Sequence, residues 1–168
     1  MSSHKKNTKK LKMQCVDIRE PLTEKLVSFP RRLGMHLTDV ERFKFDKALV
    51  RHLFDVHRIV EGNPQMTQDV ALKSLLLSSM DKDAKDFVHQ YPKFLSNPIG
   101  EIQNAMNIAN SKPEYRKMYD EFVRVMVYSK DIPSFDDAYS SFNTVLTALL
   151  PAANTNFNHH AAELGPAR

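Results

Sequence analysis

The segment Arg51-His52-Leu53-Phe54-Asp55-Val56-His57-Arg58-Ile59 sets one carboxylate among two arginines and two histidines on an otherwise apolar stretch. A carboxylate in such surroundings needs a cationic partner, because a buried charge left alone costs several kcal/mol or neutralises itself. Upstream, Glu24-Lys25 and Arg31-Arg32 offer that partner. An ammonium is a point-charge ligand for phosphate, a carboxylate nearby keeps it protonated, and arginine forks grip phosphate oxygens in pairs. Two chemistries fit these residue types: an ion network bracing two helices, or a site that handles phosphate.

The elements that must position these groups read as helices. The chain of 168 residues suits one domain with a core of its own. It has four Gly and no Trp, with many Leu, Val, Phe and Met, which favours a helical protein over a glycine-rich sandwich or barrel. The single cysteine, Cys15, excludes an internal disulfide framework and a cysteine-rich zinc site. No apolar run approaches the roughly 20 residues of a membrane span, and the basic N-terminus is followed by no apolar segment of secretory type. A reducing cytoplasm is therefore the expected compartment, without membrane association.

The formal charge of +4 is concentrated in Lys5, Lys6, Lys9, Lys10 and Lys12, and the remaining residues are close to neutral. These lysines form a basic tail over residues 1–12, expected to be disordered and able to contact nucleic acid electrostatically. Residues 13–150 form the helical domain, and 151–168 (Ala, Asn, His, Gly and Pro) read as a second disordered tail.

Within the domain, Met13 to Ile18 reads as a short extended segment, a single strand in need of a partner. Pro21 opens a helix carrying Leu22, Leu26 and Phe29, which Pro30 is expected to end, leaving a polar connection from Gly34 to Lys44. Asp46 caps the helix of Leu49, Leu53, Val56 and Val60, which Gly62-Asn63-Pro64 stops. Thr67 is expected to open the next helix and Asp81 to cap another short one. Asn97-Pro98, Pro113-Glu114 and Ser134 to Asp137, a capping-box pattern, start the last three. The fold class is mainly α: a bundle of six or seven helices with one short N-terminal β-strand.

Three blocks together resemble the C-terminal half of the AbiEii/AbiGii-type nucleotidyltransferase toxins of bacterial toxin–antitoxin and abortive-infection systems. Cys15-Val-Asp-Ile-Arg-Glu-Pro-Leu-Thr-Glu-Lys25 with Arg31-Arg32 is similar to that family's final strand and lysine-bearing helix. Arg51-His-Leu-Phe-Asp55-Val-His-Arg58 is similar to its aspartate motif. Lys112-Pro-Glu-Tyr-Arg-Lys-Met-Tyr-Asp-Glu-Phe through Met126, then Pro133-Ser-Phe-Asp136, resembles its closing helices. The resemblance spans about residues 13 to 150 and makes the lone strand a remnant of a polymerase-β-like sheet.

By this resemblance Lys25 faces the nucleotide triphosphate and Asp55 orients it or assists the incoming hydroxyl, while Arg32 and Arg58 contact phosphate. The family's catalytic half uses a Gly-Ser loop and paired strand-borne aspartates to bind magnesium and NTP, since closely placed carboxylates must hold the metal that neutralises the transferring phosphoryl group. Here none of Gly34, Gly62, Gly100 or Gly165 precedes a serine, and Asp81-Lys82-Asp83 and Asp136-Asp137 sit at expected helix starts rather than on strands. The resemblance therefore implies a chain without the metal-binding half, inactive by itself, with magnesium and NTP relevant only when that half is supplied. An antitoxin protein and a tRNA-like RNA are the partners it implies.

Two other functions compete. One is a non-catalytic helical module that binds RNA or protein. The other is a small helical RNase using Arg51 and His57, although six helical positions place the two about 120° from a shared face. His36, His52, His57, His89, His159 and His160 are scattered and point to no metal site.

Overall fold

A computed structural model describes residues 16–128 and 131–151. Seven α-helices occur among them: α1 Arg19–Thr38, α2 Arg51–Gly62, α3 Val70–Asp86, α4 Pro92–Ser96, α5 Pro98–Ser111, α6 Pro113–Met126 and α7 Phe135–Leu149. Short 3-10 turns, Lys47–Val50 and Pro64–Gln68, lead into α2 and α3. The described residues contain no strand.

The first helix is the axis of the bundle, packing on α5, α3 and α2, while α2 packs in turn on α7. One face of α1 carries Leu22, Leu26, Phe29 and Leu33, all fully buried. The Phe29 ring meets Phe142 of α7 edge-on at 5.7 Å, and Phe45 bridges Phe29 to Tyr115 of α6. Such edge-to-face pairs add roughly 0.5–1.5 kcal/mol beyond the area they bury.

Pro30 does not end this helix; α1 runs through it to Thr38. A mid-helix proline forfeits a backbone hydrogen bond and strains the preceding turn, at about 3 kcal/mol. Tertiary anchoring on both sides offsets that cost. Leu33 is fully buried beyond the proline, Arg31 pairs with Asp83 at 2.7 Å, and the His36 ring Nδ1 meets the Phe43 carbonyl at 2.6 Å. The polar connection expected from Gly34 is consequently shorter, beginning at Asp39. Gly34 is needed for packing: a Cβ there would lie 2.3 Å from the Tyr91 hydroxyl oxygen.

The helix boundaries around α3 also differ from expectation. Asp69, whose side chain accepts from the Leu72 amide, caps α3, so Thr67 belongs to the 3-10 turn before it. Asp81 caps nothing: α3 continues through it because Leu72, Leu76, Met80 and Ala84 form an unbroken buried row at four-residue spacing. The expected strand is likewise corrected in its described part. Val16 is exposed, Ile18 has helical dihedrals, and the Asp17 carbonyl accepts from the Glu20 amide, making a turn into α1. Met13 to Cys15 lie outside the described residues. Asn97 accepts from the Gly100 amide and Ser134 with Asp137 closes a full capping box, as the sequence puts them, whereas Asp46, accepting from the Ala48 amide, caps the 3-10 turn that leads into α2 rather than α2 itself.

Candidate functional site

Lys25 lies in the second turn of α1 and Asp55 in the second turn of α2, so the packing of these helices brings the two side chains together. The Lys25 Nζ is 3.4 Å from Asp55 Oδ2 and 3.8 Å from Glu24 Oε2. The lysine side chain is 14% exposed and that of Asp55 34%, so the pair lies at the surface edge of the interface.

Helical spacing adds two more groups to this patch. Arg51 and His52 precede Asp55 by four and three positions, which puts them on its face of α2. Arg51 is exposed, and so is Arg32 on α1. His52 is buried, and its Nδ1 has no hydrogen-bond partner. Burial, together with repulsion from Lys25, Arg51 and Arg32, pushes the imidazole down to about 4. It is therefore neutral near pH 7, and its depressed basicity registers three cations around one spot. The patch is mixed in charge: Asp55 and Glu24 oppose Lys25, Asp46 counters the repulsion at His52, and the exposed Arg32 and Arg51 are its outer cations. It suits an anion with several oxygens, for which lysine supplies a point charge and the arginines planar forks.

Arg58 belongs to a different cluster. Its guanidinium Nη1 is 2.7 Å from Glu61 Oε2, and another nitrogen donates to the Asp131 carbonyl. It stands three positions from both Asp55 and Glu61 and is committed to Glu61. His57 shares that second pocket of about 350 Å³, where its Nδ1 meets Ser141 Oγ at 2.8 Å. Arg51 does not line this pocket. The Arg51–His57 pairing of a helical RNase has no shared cavity here, and the Ser141 contact has no counterpart in local sequence spacing because α7 supplies it from 84 residues away.

The paired aspartates are engaged structurally. Asp81 pairs with Lys85 at 2.7 Å and Asp83 with Arg31 at 2.7 Å. Asp136 takes a two-pronged contact from Arg116, 2.7 Å on each oxygen, and Asp137 completes the α7 capping box. Among the described residues no group of three or more His, Cys, Asp or Glu could hold a metal ion. These side chains do not fit a magnesium site. Lys5, Lys6, Lys9, Lys10 and Lys12, as well as His159 and His160, lie outside the described residues. No helix among the described residues is long and apolar enough to cross a membrane.

The family model for the nucleotidyl transferase AbiEii toxin, type IV TA system, matches residues 2–141. Neither a curated protein nor a solved structure matches the chain.

Proposed function

The chain belongs to the AbiEii nucleotidyl transferase toxin family of type IV toxin–antitoxin systems, and on that premise we propose that its helices form the phosphate-facing side of a nucleotidyl-transfer site that a second set of residues must complete. The observation that carries this reading is the Lys25–Asp55 pair at 3.4 Å, open to solvent and flanked by Arg32 and Arg51. In it, Lys25 holds the nucleotide triphosphate, Asp55 keeps the ammonium oriented, and Arg32 and Arg51 neutralise outer phosphate oxygens. Arg58, tied to Glu61 and Asp131, serves a separate contact, to a phosphate beyond the nucleotide or to none.

The metal-holding carboxylates that phosphoryl chemistry demands come, in this reading, from a polypeptide with a Gly-Ser loop and strand-borne aspartates. Alone, the chain binds nucleotide phosphates without transferring them. RNA is the acceptor, the lysine tail contributes non-specific affinity for it, an antitoxin is the regulatory partner, and the cytoplasm is the site of action.

The test is transfer of label from NTPs to RNA, with and without such a complementing polypeptide. Transfer is expected only in the combination, and Lys25→Ala should lower it about 100-fold, the scale of losing one charge-stabilising donor. Transfer that ignores both Lys25→Ala and Asp55→Ala, or that fails with every complementing polypeptide, would overturn the reading.

A further inference from the structure

The same central helix presents a second concave surface, turned away from the ion pair. Thr23 and Val27 stand two positions either side of Lys25, about 200° around the helix. They line a groove of about 440 Å³ between α1 and α3. Its α1 wall is the row Glu20, Glu24, Val27 and Arg31, and its α3 wall runs from Leu75 to Phe87. Both rows follow the three- and four-residue spacing of a helix face, so the groove is straight. The eleven residue-to-residue steps from Glu20 to Arg31 give it a length of about 16 Å, three turns of an incoming helix.

The floor is apolar, made by Val27, Leu75 and the Phe87 ring, over which the Arg31 guanidinium lies at 3.8 Å. Thr23, buried on the α1 wall, has a hydroxyl without a hydrogen-bond partner. The rim is acidic. Each groove cation is already answered by an acid of α3, Arg31 by Asp83 at 2.7 Å and Lys82 by Asp86 at 2.5 Å. Glu20 and Glu24 remain as exposed carboxylates on the α1 side, Glu24 touching only Ser28 at 3.3 Å and Lys25 at 3.8 Å.

We propose that this groove docks a basic amphipathic helix of a partner protein. Apolar side chains at three- and four-residue spacing fill the floor, and lysine or arginine on the flank meets Glu20 and Glu24. Complementary rim charges govern mainly register, encounter rate and choice of partner, while the floor holds the helix in place. The groove meets the nucleotide-facing patch at Glu24, 3.8 Å from Lys25, but needs no nucleotide chemistry, so the proposal stands whether or not the transfer reading does.

The experiment titrates the full chain with a synthetic leucine–lysine amphipathic peptide of about 15 residues, long enough to hold helical form when bound. A leucine–glutamate peptide is the control. Fluorescence anisotropy gives affinity, and methyl NMR of Val27 and Leu75 gives location. The expected result is binding of the lysine peptide with shifts at both methyl groups, and affinity about tenfold weaker for Glu20→Lys/Glu24→Lys. Those two sites are exposed, so a thermal melt like that of the parent chain accompanies the loss. Leu75→Glu is expected to weaken binding independently, and Lys25→Ala, which leaves Glu24 without its neighbouring cation, to retain it or tighten it.

Four results overturn the proposal. The acidic peptide binds equally well; Lys25→Ala abolishes binding, which moves the peptide to the nucleotide patch; deleting residues 1–15 shifts the groove methyls without any peptide, which gives the groove to the chain's own basic segment; or those methyls shift with protein concentration alone, which gives it to a second copy.

Discussion

Two ion pairs leave α1 about 120° apart, one toward α2 and one toward α3, and their geometries differ in a way that separates bracing from availability. Arg31 reaches Asp83 of α3 at 2.7 Å with its side chain 8% exposed, and its guanidinium lies against Phe87 at 3.8 Å. Lys25 reaches Asp55 of α2 at 3.4 Å with the partner carboxylate one-third exposed and other cations beside it. The first cation is largely buried beneath the α1–α3 groove: burial lowers the affinity of Arg31 for its proton, and the Asp83 carboxylate opposes that loss. The second pair is longer, and its carboxylate is part-exposed at the edge of the α1–α2 interface. A buried, stacked, hydrogen-bonded pair fixes two helices, whereas a longer pair at a surface edge can exchange its partner at little cost.

The largest effect that can break this contrast is on the α3 side. Asp83→Ala leaves the Arg31 guanidinium buried without a counter-charge and should cost about 3 kcal/mol in chemical denaturation. Replacing both members with apolar residues, Arg31→Met/Asp83→Leu, should restore most of that loss. If Asp83→Ala instead shifts the midpoint no more than a surface substitution does, the two pairs are of one kind.

A comparable effect belongs to His52, under the cations of the α2 side. Its folded-state value of about 4 lies below the ordinary 6.5, so between those pH values the unfolded chain binds more protons than the folded one. Stability is therefore full above about pH 6.5 and falls on acidification to about pH 4, by on the order of 2–3 kcal/mol for such a shift. His52→Gln should flatten that segment of the stability–pH curve. A nucleotide or pyrophosphate bound beside the histidine should move its titration upward, because the anion offsets the repulsion from Lys25, Arg51 and Arg32.

A smaller effect tests how far the braced segment extends. One turn past Arg31, Gly34→Ala places its Cβ 2.3 Å from the Tyr91 hydroxyl oxygen, in a ring already stacked on Phe94. Overpacking of this kind costs about 1–3 kcal/mol, read from the thermal midpoint. Tyr91→Phe removes the obstructing hydroxyl, so the double variant should lose less than the sum of the singles.

The sequence made helical starts legible at Asp46, Asn97 and Ser134, where a side chain caps its own backbone within three residues, but not at Asp69, where the 3-10 turn Pro64–Gln68 precedes the helix and Thr67 offered a competing cap. It misplaced ends at Pro30 and Asp81, where a local stop signal was outweighed by burial on both sides that only the packed molecule supplies. The convergence of Lys25 and Asp55 was legible because each stands as a charge on an apolar helix and needs a partner. The commitment of Arg58 was not, since Asp55 and Glu61 are equally spaced from it and the loop carbonyl of Asp131 decides between them. Nor was the α1–α3 groove, which depends on which helix lies beside which.

The smallest expected effect on stability is also the one that bears most on function. Asp55→Asn removes the partner of Lys25 from a part-exposed pair, and such pairs contribute about 0–1 kcal/mol, so the denaturation midpoint should hardly move. Its consequence for a bound anion is of opposite sign to its consequence for a reaction. With the carboxylate gone, phosphate no longer competes with Asp55 for the ammonium, and triphosphate affinity measured by calorimetry at low salt should rise or hold. Label transfer in the complemented system should fall, because the lysine loses the group that orients it. A loss of stability equal to that of Asp83→Ala would instead make Lys25–Asp55 a second brace. Tighter anion binding with undiminished transfer would leave Lys25 the phosphate ligand and remove Asp55 from any part in the chemistry.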